Sequence, residues 1–361
     1  MRLPVRTLLL SAVPVLLAGG ASTAQAVTRS ESVVTPSVVR VSGPRPIATF
    51  TFVGGGDIAL TGEPDPREFA GIRRFLRRGD LVIGNLEGTL ARGGAPKCNG
   101  AAESGCFTFR GSPGWAATLR RAGFTVMNVA NNHALDFGPE AQTETLRALN
   151  RARIPHQGLP GEIAYVRAAG VKVGLIGCAP YRWSQNLLDV AGAARLVRKA
   201  ARHADVVVVY MHAGAEGSAA DHVPLSGETY LGELRGNARQ FAHAMVRAGA
   251  DLVFGSGPHV LRGIEWYGKR LIAYSLGNLA GTHTLGTQGV LGESALLRVT
   301  LDAQGGFQAG AVVPLRLVGT GTPVFDAGRA SIVRIRALSH QDFGARAIRI
   351  AASGRLAVPK R

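Results

Sequence analysis

The sequence predicts an α/β protein whose mostly parallel β-sheet is covered by helices on both faces. Between residues 47 and 290, short apolar runs of strand length alternate with segments of helical period, as in sheets joined by crossover helices. From about Ser294 two alternating segments, 295–301 and 310–318, predict a second, antiparallel sheet packed behind the first. At 361 residues the chain can bury a large core, as one large domain or two smaller ones.

The N-terminal residues are predicted to lie outside the folded domain. Arg2 and Arg6 precede an apolar run, residues 8–19, and Ala-Gln-Ala at residues 24–26 completes the pattern of a signal peptide over residues 1–26. Residues 27–46 are predicted to be a disordered leader. We therefore expect export to the periplasm, the cell envelope or the medium. No later apolar stretch is long enough for a membrane helix.

The elements of the domain follow from local signals. Apolar runs bounded by Gly, Asp or Asn predict strands, and amphipathic segments that begin at Pro or end at Gly predict helices. The predicted strands are 47–53, 81–84, 124–129, 206–210, 251–254, 260–266 and 270–275, with a hairpin over 164–178. The predicted helices are 66–78, 113–122, 139–151, 186–203 and 236–248. The domain is expected to cover residues 47–338, and residues 339–361 to form a C-terminal helix and a frayed tail.

The composition is strongly basic, with 41 Lys and Arg residues against 24 Asp and Glu and a formal net charge of +17. An exported basic protein favours anionic partners such as acidic polymers, phosphoesters or the cell envelope. No block of basic residues with interleaved aromatic residues is present, so no nucleic-acid partner is expected. Scattered arginines are often only a solvated surface, and the oligomeric state stays open.

The three cysteines predict no metal cluster, because their spacing fits no zinc pattern. Cys98 and Cys106 flank a polar, Gly-rich loop, and an oxidising compartment permits a bridge between them. Cys178 ends an apolar strand and is expected to be an inert buried thiol.

Polar side chains of the types that bind metals follow the predicted parallel strands, at the point where each strand ends. Because such ends meet at one edge of a sheet, we expect these side chains to converge. They are Asp57, Glu87, Asn132, His133, Asp136, His212, Glu216 and His259. Carboxylate, amide and imidazole groups together suit Mn, Fe or Zn, as one ion or as two bridged by a carboxylate. A neighbouring histidine would then protonate a leaving group.

Simpler interpretations exist for single members of this set. A lone His212 or His259 at a strand end is often a structural, hydrogen-bonded residue, and Glu216 lies in a loop where it can be merely solvated. The Asn-Asn-His turn at residues 131–133 is also typical of an ordinary turn. The repetition of the pattern at several strand ends favours a site.

Six ordered motifs carry a family resemblance. They are Gly56-Asp57-Ile58, Asn85-Leu86-Glu87, Ala130-Asn131-Asn132-His133 with Asp136 and Gly138, His212-x-Gly214-x-Glu216, Gly257-Pro258-His259-Val260 and Tyr274-Ser275-Leu276-Gly277-Asn278. From about residue 48 to 300 the chain resembles the bacterial capsule-synthesis CapA (PGA-cap) family, which is similar to calcineurin-like metallo-phosphoesterases and is associated with poly-γ-glutamate capsules. The resemblance implies a four-layer α/β/β/α sandwich of the metallo-dependent phosphatase type.

The resemblance also implies roles for the polar residues. Those that would bind metal are Asp57, Glu87, Asn132, His212 and His259, with Glu87 as the bridging carboxylate. His133 would be the proton donor, oriented by Asp136, and Glu216 joins them as a catalytic candidate. The sequence departs from the family pattern at four positions: Ala59 and Ser256 stand where histidines are usual, Ala213 where Trp is common and Leu279 where Phe is usual. A site with a single metal ion is therefore an alternative to a site with two.

The resulting expectation is an exported, metal-dependent, phosphoesterase-like hydrolase that acts in capsule, poly-γ-glutamate or envelope polymer metabolism. The alternative is a non-catalytic accessory protein that binds or tethers an anionic polymer such as polyglutamate. Peptide or amide hydrolysis at the same metal edge is a third interpretation. No Gly-x-Ser-x-Gly elbow is present, which disfavours a serine hydrolase of that type.

Overall fold

Two β-sheets lie face to face in the part of the chain that the computed structural model describes, residues 48–98 and 105–359. These residues belong to one unit, Pro46–Arg361. The predicted signal peptide and leader lie outside the described residues and stay predictions.

The described elements have the following bounds in chain order: β1 (Thr49–Ala59), α1 (Arg73–Leu76), β2 (Leu81–Leu86), β3 (Thr89–Leu90), β4 (Arg110–Gly111), α2 (Trp115–Ala122), β5 (Val126–Asn128), α3 (Gly138–Arg151), β6 (His156–Gln157), β7 (Ala164–Ala168), β8 (Val171–Ala179), β9 (Gln185–Asn186), α4 (Val190–Ala201), β10 (Val206–His212), β11 (Glu228–Tyr230), β12 (Glu233–Gly236), α5 (Ala238–Ala248), β13 (Leu252–Ser256), β14 (Ile264–Tyr267), β15 (Arg270–Ala273), β16 (Asn278–Gly281), β17 (Glu293–Asp302), β18 (Phe307–Val318), β19 (Thr322–Phe325), α6 (Ala330–Phe343), β20 (Arg349–Ile350) and β21 (Arg355–Ala357). None of these helices is long and apolar enough to cross a bilayer.

The first sheet has the strand order β20-β21-β18-β17-β1-β2-β5-β6, with β16 paired to β1 and β19 to β18. The second has the order β14-β15-β13-β10-β8-β7, with β9 paired to β8. The prediction of one parallel sheet with an antiparallel sheet behind it is therefore wrong in its strand assignment. Parallel strands occur in both sheets, and the antiparallel β17 pairs directly with the parallel strand β1.

Three apolar clusters separate the layers. The first lies between the sheets, where the Phe52 ring contacts the Phe254 ring edge-on with centroids 4.8 Å apart. The second packs α1, α2 and α3 on the outer face of the first sheet, and the third packs α4 and α5 on the outer face of the second. The order of layers is α/β/β/α, which confirms the predicted fold class.

Two terminal or short segments differ from the prediction. The helix expected over 66–78 is reduced to α1, because the preceding residues use three-residue turns, such as Ala70 N–H to Arg67 O at 2.8 Å. Of the helix and frayed tail expected over 339–361, the helix is present only at residues 339–343, and the frayed tail is wrong for residues 344–359. Helix α6 ends at Phe343, and the chain then adds β20 and β21 beside β18, because Ile350 and Leu356 bury their side chains there.

The cysteines behave as the sequence suggests. Cys98 and Cys106 form a disulfide. Cys178 is fully buried, and burial raises the pKa of its thiol, which keeps the group protonated and unreactive.

Candidate metal centre

The sequence-predicted polar residues meet where the C-terminal ends of strands from both sheets lie together. Asp57 and Glu87 come from the ends of β1 and β2 in the first sheet. His212 ends β10 and His259 follows β13 in the second. The predicted convergence is present, but it lies between two sheets rather than along the edge of one.

Irregular backbone presents Asp57 and His259 to this centre. The register of β1 shifts beside Asp57, and its N–H donates to Gly277 O at 3.0 Å, a bulge that redirects the side chain. A Cβ at Gly56 would meet the same carbonyl oxygen of Gly277 at 1.8 Å, so only glycine fits there. His259 has a φ of 61°, a strained conformation for a non-glycine residue that is typical of functional sites.

Asp57 is fully buried and well supplied with donors. Its Oδ1 accepts hydrogen bonds from Asn85 Nδ2 at 2.8 Å and from Ser256 Oγ. Its two oxygens also lie 3.6 Å from His212 Nδ1 and 3.3 Å from His259 Nδ1. Burial alone would raise the pKa of Asp57, but hydrogen bonds and attraction from the two histidines hold the pKa well below its usual range. Asp57 is therefore an ionised carboxylate.

Glu87 is equally buried and has the opposite surroundings. Among the described residues, neither of its carboxylate oxygens has a hydrogen-bond partner. Its Oε1 faces His212 Nε2 at 3.6 Å and His259 Nε2 at 3.7 Å. Burial and the charge on Asp57 raise the pKa of Glu87 well above its ordinary value. A buried acceptor without a donor is costly and calls for a cation or another explanation.

Asn132 and Glu216 extend the centre toward solvent. Asn132 Oδ1 lies 2.9 Å from His212 Nε2, and its Nδ2 lies 3.4 Å from Glu216 Oε1. The same Glu216 oxygen accepts a hydrogen bond from Arg235 at 2.6 Å, while Glu216 Oε2 lies 3.6 Å from His259 Nε2.

His133 stands beside the centre as part of a His–Asp pair. Its Nδ1 lies 2.8 Å from Asp136 Oδ2, which also accepts the Phe109 N–H at 2.7 Å. Lys97 Nζ contacts the other Asp136 oxygen at 2.7 Å, and the Phe109 ring stacks on the imidazole. Burial lowers the pKa of His133 more than Asp136 raises it, so the pKa is below its ordinary value.

Two adjoining cavities open onto His133 and Glu216, with volumes of about 250 and 180 Å³. Lys97 and Arg235 line the larger one and His259 lines the smaller. Four of the predicted residues therefore line this space, namely Asn132, His133, Glu216 and His259, whereas Asp57, Glu87, Asp136 and His212 are buried and line neither cavity.

Sequence reasoning did not select several residues that complete the centre. Asn85 bonds Asp57 and also accepts from Asn128 Nδ2 at 2.7 Å. Asn85 belongs to the Asn85-Leu86-Glu87 motif, two positions before Glu87, and this position could have marked it as a site residue. Lys97 lay next to a predicted loop cysteine, a weaker signal. Arg235 comes from the β11–β12 hairpin, which was not among the predicted elements, and nothing local in the sequence marked it.

The donor set fits a divalent cation. Besides the unpartnered oxygens of Glu87, a buried Asp57–Glu87–His212 group has one atom from each side chain within 4.8 Å of the others. Carboxylate, imidazole and amide ligands together suit Zn, Fe or Mn.

Comparison with known proteins adds a family match. The model of the family described as "Bacterial capsule synthesis protein PGA_cap" matches residues 55–282. The chain is similar to the PGA biosynthesis protein CapA of Bacillus subtilis (strain 168), with 32% identity over 177 residues, 44% of this chain and 43% of that protein. It is also similar to the capsule biosynthesis protein CapA of Bacillus anthracis, with 30% identity over 233 residues, 58% of this chain and 52% of that protein. The chain spans about half the length of these curated relatives.

Among solved structures, the 5'-nucleotidase precursor from Thermus thermophilus is similar at a TM-score of 0.45 and 16% identity, over 84% of this chain and 61% of that chain.

Proposed function

The chain belongs to the family of bacterial capsule synthesis proteins described as PGA_cap, and on that premise we propose that it is an exported, metal-dependent hydrolase of the phosphoesterase type. Its substrate would be a phosphoester or an anionic polymer of the capsule or envelope, such as polyglutamate. The observation that carries the proposal is the unpartnered Glu87 carboxylate, which faces two imidazole nitrogens beside the His133–Asp136 pair.

The residues that would hold one or two divalent cations (Mn, Fe or Zn) are Asp57, Glu87, Asn132, His212 and His259. A bound cation supplies Lewis-acid stabilisation of the charge that develops on a reacting phosphoryl group.

The chain's own side chains would bind the substrate and move the proton. Lys97 and Arg235 carry positive charge into the larger cavity and suit an anionic group. Asp136 fixes His133 through Nδ1, so Nε2 is the nitrogen left to face a leaving oxygen, to which the imidazolium form of His133 would give its Nε2 proton. Glu216, the third catalytic candidate, orients Arg235 and faces His259.

Separate His133→Ala and Asp57→Ala variants test the proposal, with hydrolysis of a phosphodiester and a phosphomonoester reporter as the readout. Both variants are expected to lose turnover. His222→Ala is the matched control, because His222 forms a similar pair with Asp342 at 2.7 Å but is 57% exposed. Unchanged turnover in both site variants would end the catalytic assignment.

A second candidate function, accessory binding of an anionic polymer, is favoured by a basic cavity on the outer face of the first sheet. The cavity, of about 280 Å³, is lined by Arg78, Arg298 and Arg355 together with Thr51 and Thr300. Among the described residues no acidic side chain lines it. Three arginines in a cavity that no carboxylate lines suit a chain of carboxylates.

Binding of polyglutamate tests this alternative. If it is correct, binding survives EDTA, weakens steeply with salt because charge pairing is screened, and falls in Arg298→Gln. Arg195→Gln is the control, since Arg195 is an exposed arginine outside the cavity. Reporter hydrolysis without polyglutamate binding would favour the hydrolase instead.

A further inference from the structure

The two site histidines lie between two carboxylates, one on each side. The Nδ1 atoms of His212 and His259 face Asp57, at 3.6 and 3.3 Å. Their Nε2 atoms face Glu87 Oε1, at 3.6 and 3.7 Å. Asp57 and Glu87 therefore contact opposite edges of the same two rings and cannot have the same role.

The hydrogen bonds of the rings indicate which nitrogen is free to bind a cation. His259 Nδ1 contacts two acceptors, Asn278 Oδ1 at 2.9 Å and Asp57 Oδ2 at 3.3 Å, so Nδ1 carries a hydrogen. Nε2, which faces the carboxylates of Glu87 and Glu216, is the nitrogen left for a cation. His212 Nε2 lies 2.9 Å from Asn132 Oδ1, an acceptor. Its Nδ1 lies 3.2 Å from the donor Asn85 Nδ2, so the hydrogen is on Nε2. A cation that binds Nε2 would move that hydrogen to Nδ1, on the side of Asp57.

Asp57 is already satisfied by the protein. Asn85 Nδ2 and Ser256 Oγ donate to its Oδ1, and Gly257 N–H donates to its Oδ2 at 3.1 Å. Ser256 Oγ is also hydrogen-bonded to the Tyr210 hydroxyl, which holds the serine side chain in place beside Asp57. A second cation at Asp57 would have to break these bonds, and Ala59 offers no ligand in exchange.

Glu87, by contrast, has both oxygens free among the described residues. The two Nε2 atoms lie near its Oε1, and the Asn132 oxygen lies 2.9 Å from one of them, His212 Nε2. Two ligand atoms bound at about 2.0–2.2 Å to one ion are about 3–4 Å apart, which matches the 3.6 and 3.7 Å seen here.

The geometry points to one cation per chain, held by Glu87, Asn132 Oδ1 and the Nε2 atoms of His212 and His259, with Asp57 as a positioning residue that contacts the rings and not the ion. This inference rests on the metal site of the proposed function and divides its five ligand candidates into two roles. A carboxylate that accepts the distal N–H of a metal-bound histidine fixes the ring and its tautomer.

Metal content and affinity test the inference, measured by elemental analysis and by titration of the full chain with Zn²⁺ or Mn²⁺. The wild type is expected to bind one ion. Glu87→Gln should lose stoichiometric binding, whereas Asp57→Asn should keep one ion with an affinity about 10–100-fold lower. The visible spectrum of the Co²⁺-loaded protein reports the number of ligands and should keep its shape and intensity in Asp57→Asn.

Several results would overturn it. Two ions per wild-type chain would refute the single site. An Asp57→Asn variant that loses the metal as completely as Glu87→Gln, or that changes the Co²⁺ spectrum, would refute the positioning role of Asp57. Either result would leave the hydrolase proposal standing. No ion at all in the wild type would refute the metal site of both proposals. If Asp57→Asn does not fold, Ser256→Ala provides the second test, because it removes one of the bonds to Asp57 and should leave the stoichiometry at one.

Discussion

Replacing Glu87 by Gln is expected to stabilise the metal-free protein while removing its response to cations. Glu87 and Glu265 form a matched pair for this test, since both are fully buried. Glu265 accepts hydrogen bonds from Tyr274 at 2.7 Å and His243 at 2.8 Å, and pairs with Arg346 at 2.7 Å. Glu87 accepts no hydrogen bond among the described residues, and its neighbours His212 and His259 lie 3.6 and 3.7 Å away. The same chemical change should therefore have opposite signs at the two positions.

The magnitudes follow from the cost of a buried, unpartnered polar group. Glu87→Gln should raise the unfolding free energy of the metal-free protein by about 1–3 kcal/mol, and Glu265→Gln should lower it by about 1.5–3 kcal/mol. The pKa of Glu87 is raised in the folded state above its ordinary 4.5, so ionisation of this side chain disfavours folding. The cost to the free energy of unfolding grows as the pH rises above 4.5. The gain from Glu87→Gln should therefore be small near about pH 4 and grow as the pH rises above 4.5.

A bound cation offsets this difference, because only the wild type is stabilised by it. A ligand at about 100 times its Kd stabilises the folded state by about 2.7 kcal/mol, which is about 5 °C in Tm for a domain of this size. The wild type should gain this increment and Glu87→Gln should not.

Thermal unfolding in EDTA and in Zn²⁺ or Mn²⁺ measures both effects. A Glu87→Gln protein less stable than the wild type in EDTA, or a wild-type Tm that no cation changes, would refute the reasoning. Glu265→Gln should show the same deficit with and without cation.

Three further perturbations have defined outcomes. Asp136→Asn should lower kcat on the reporter by about 100–10,000-fold with little change in KM, because Asp136 contacts His133 and not the substrate; an unchanged kcat in steady-state assays would contradict this. Burial alone would raise the pKa of Glu265, but hydrogen bonds from its neighbours hold the pKa below its ordinary 4.5. Its stabilising contribution is therefore present above pH 4.5 and lost as the pH falls through the folded-state pKa. Urea unfolding should show the Glu265→Gln deficit vanish in acid, and a deficit independent of pH would count against it. Replacing both Cys98 and Cys106 by Ser should lower the unfolding free energy by at most about 2–3 kcal/mol, since the bridge closes a short loop. A reductant should then lower the Tm of the wild type but not of the double variant, and a wild type indifferent to reductant would exclude this stabilisation.

Much of the candidate centre was readable because its signals are local. An apolar run that ends in Gly56-Asp57 or in Asn131-Asn132-His133 identifies both a strand end and the chemistry it carries. The alternation of strands and helices predicted the fold class for the same reason, since period and polarity are properties of neighbouring residues. The four layers were predicted from the family resemblance that the six ordered motifs carry.

The sequence by itself determined which side chains stand at the strand ends, and the tertiary structure decided how those side chains are used. Packing of the two sheets joins residues far apart in the chain: the hydrogen bond from Ser256 Oγ to Asp57 Oδ1 spans 199 positions. No local pattern reports whether two parallel strands share a sheet, so the division of the strands between two sheets escaped prediction. The same holds for Asp57 and Glu87, two acids that look alike in the sequence. Asp57 lies among donors and Glu87 does not, because hydrogen-bond partners are assigned by packing and not by residue type.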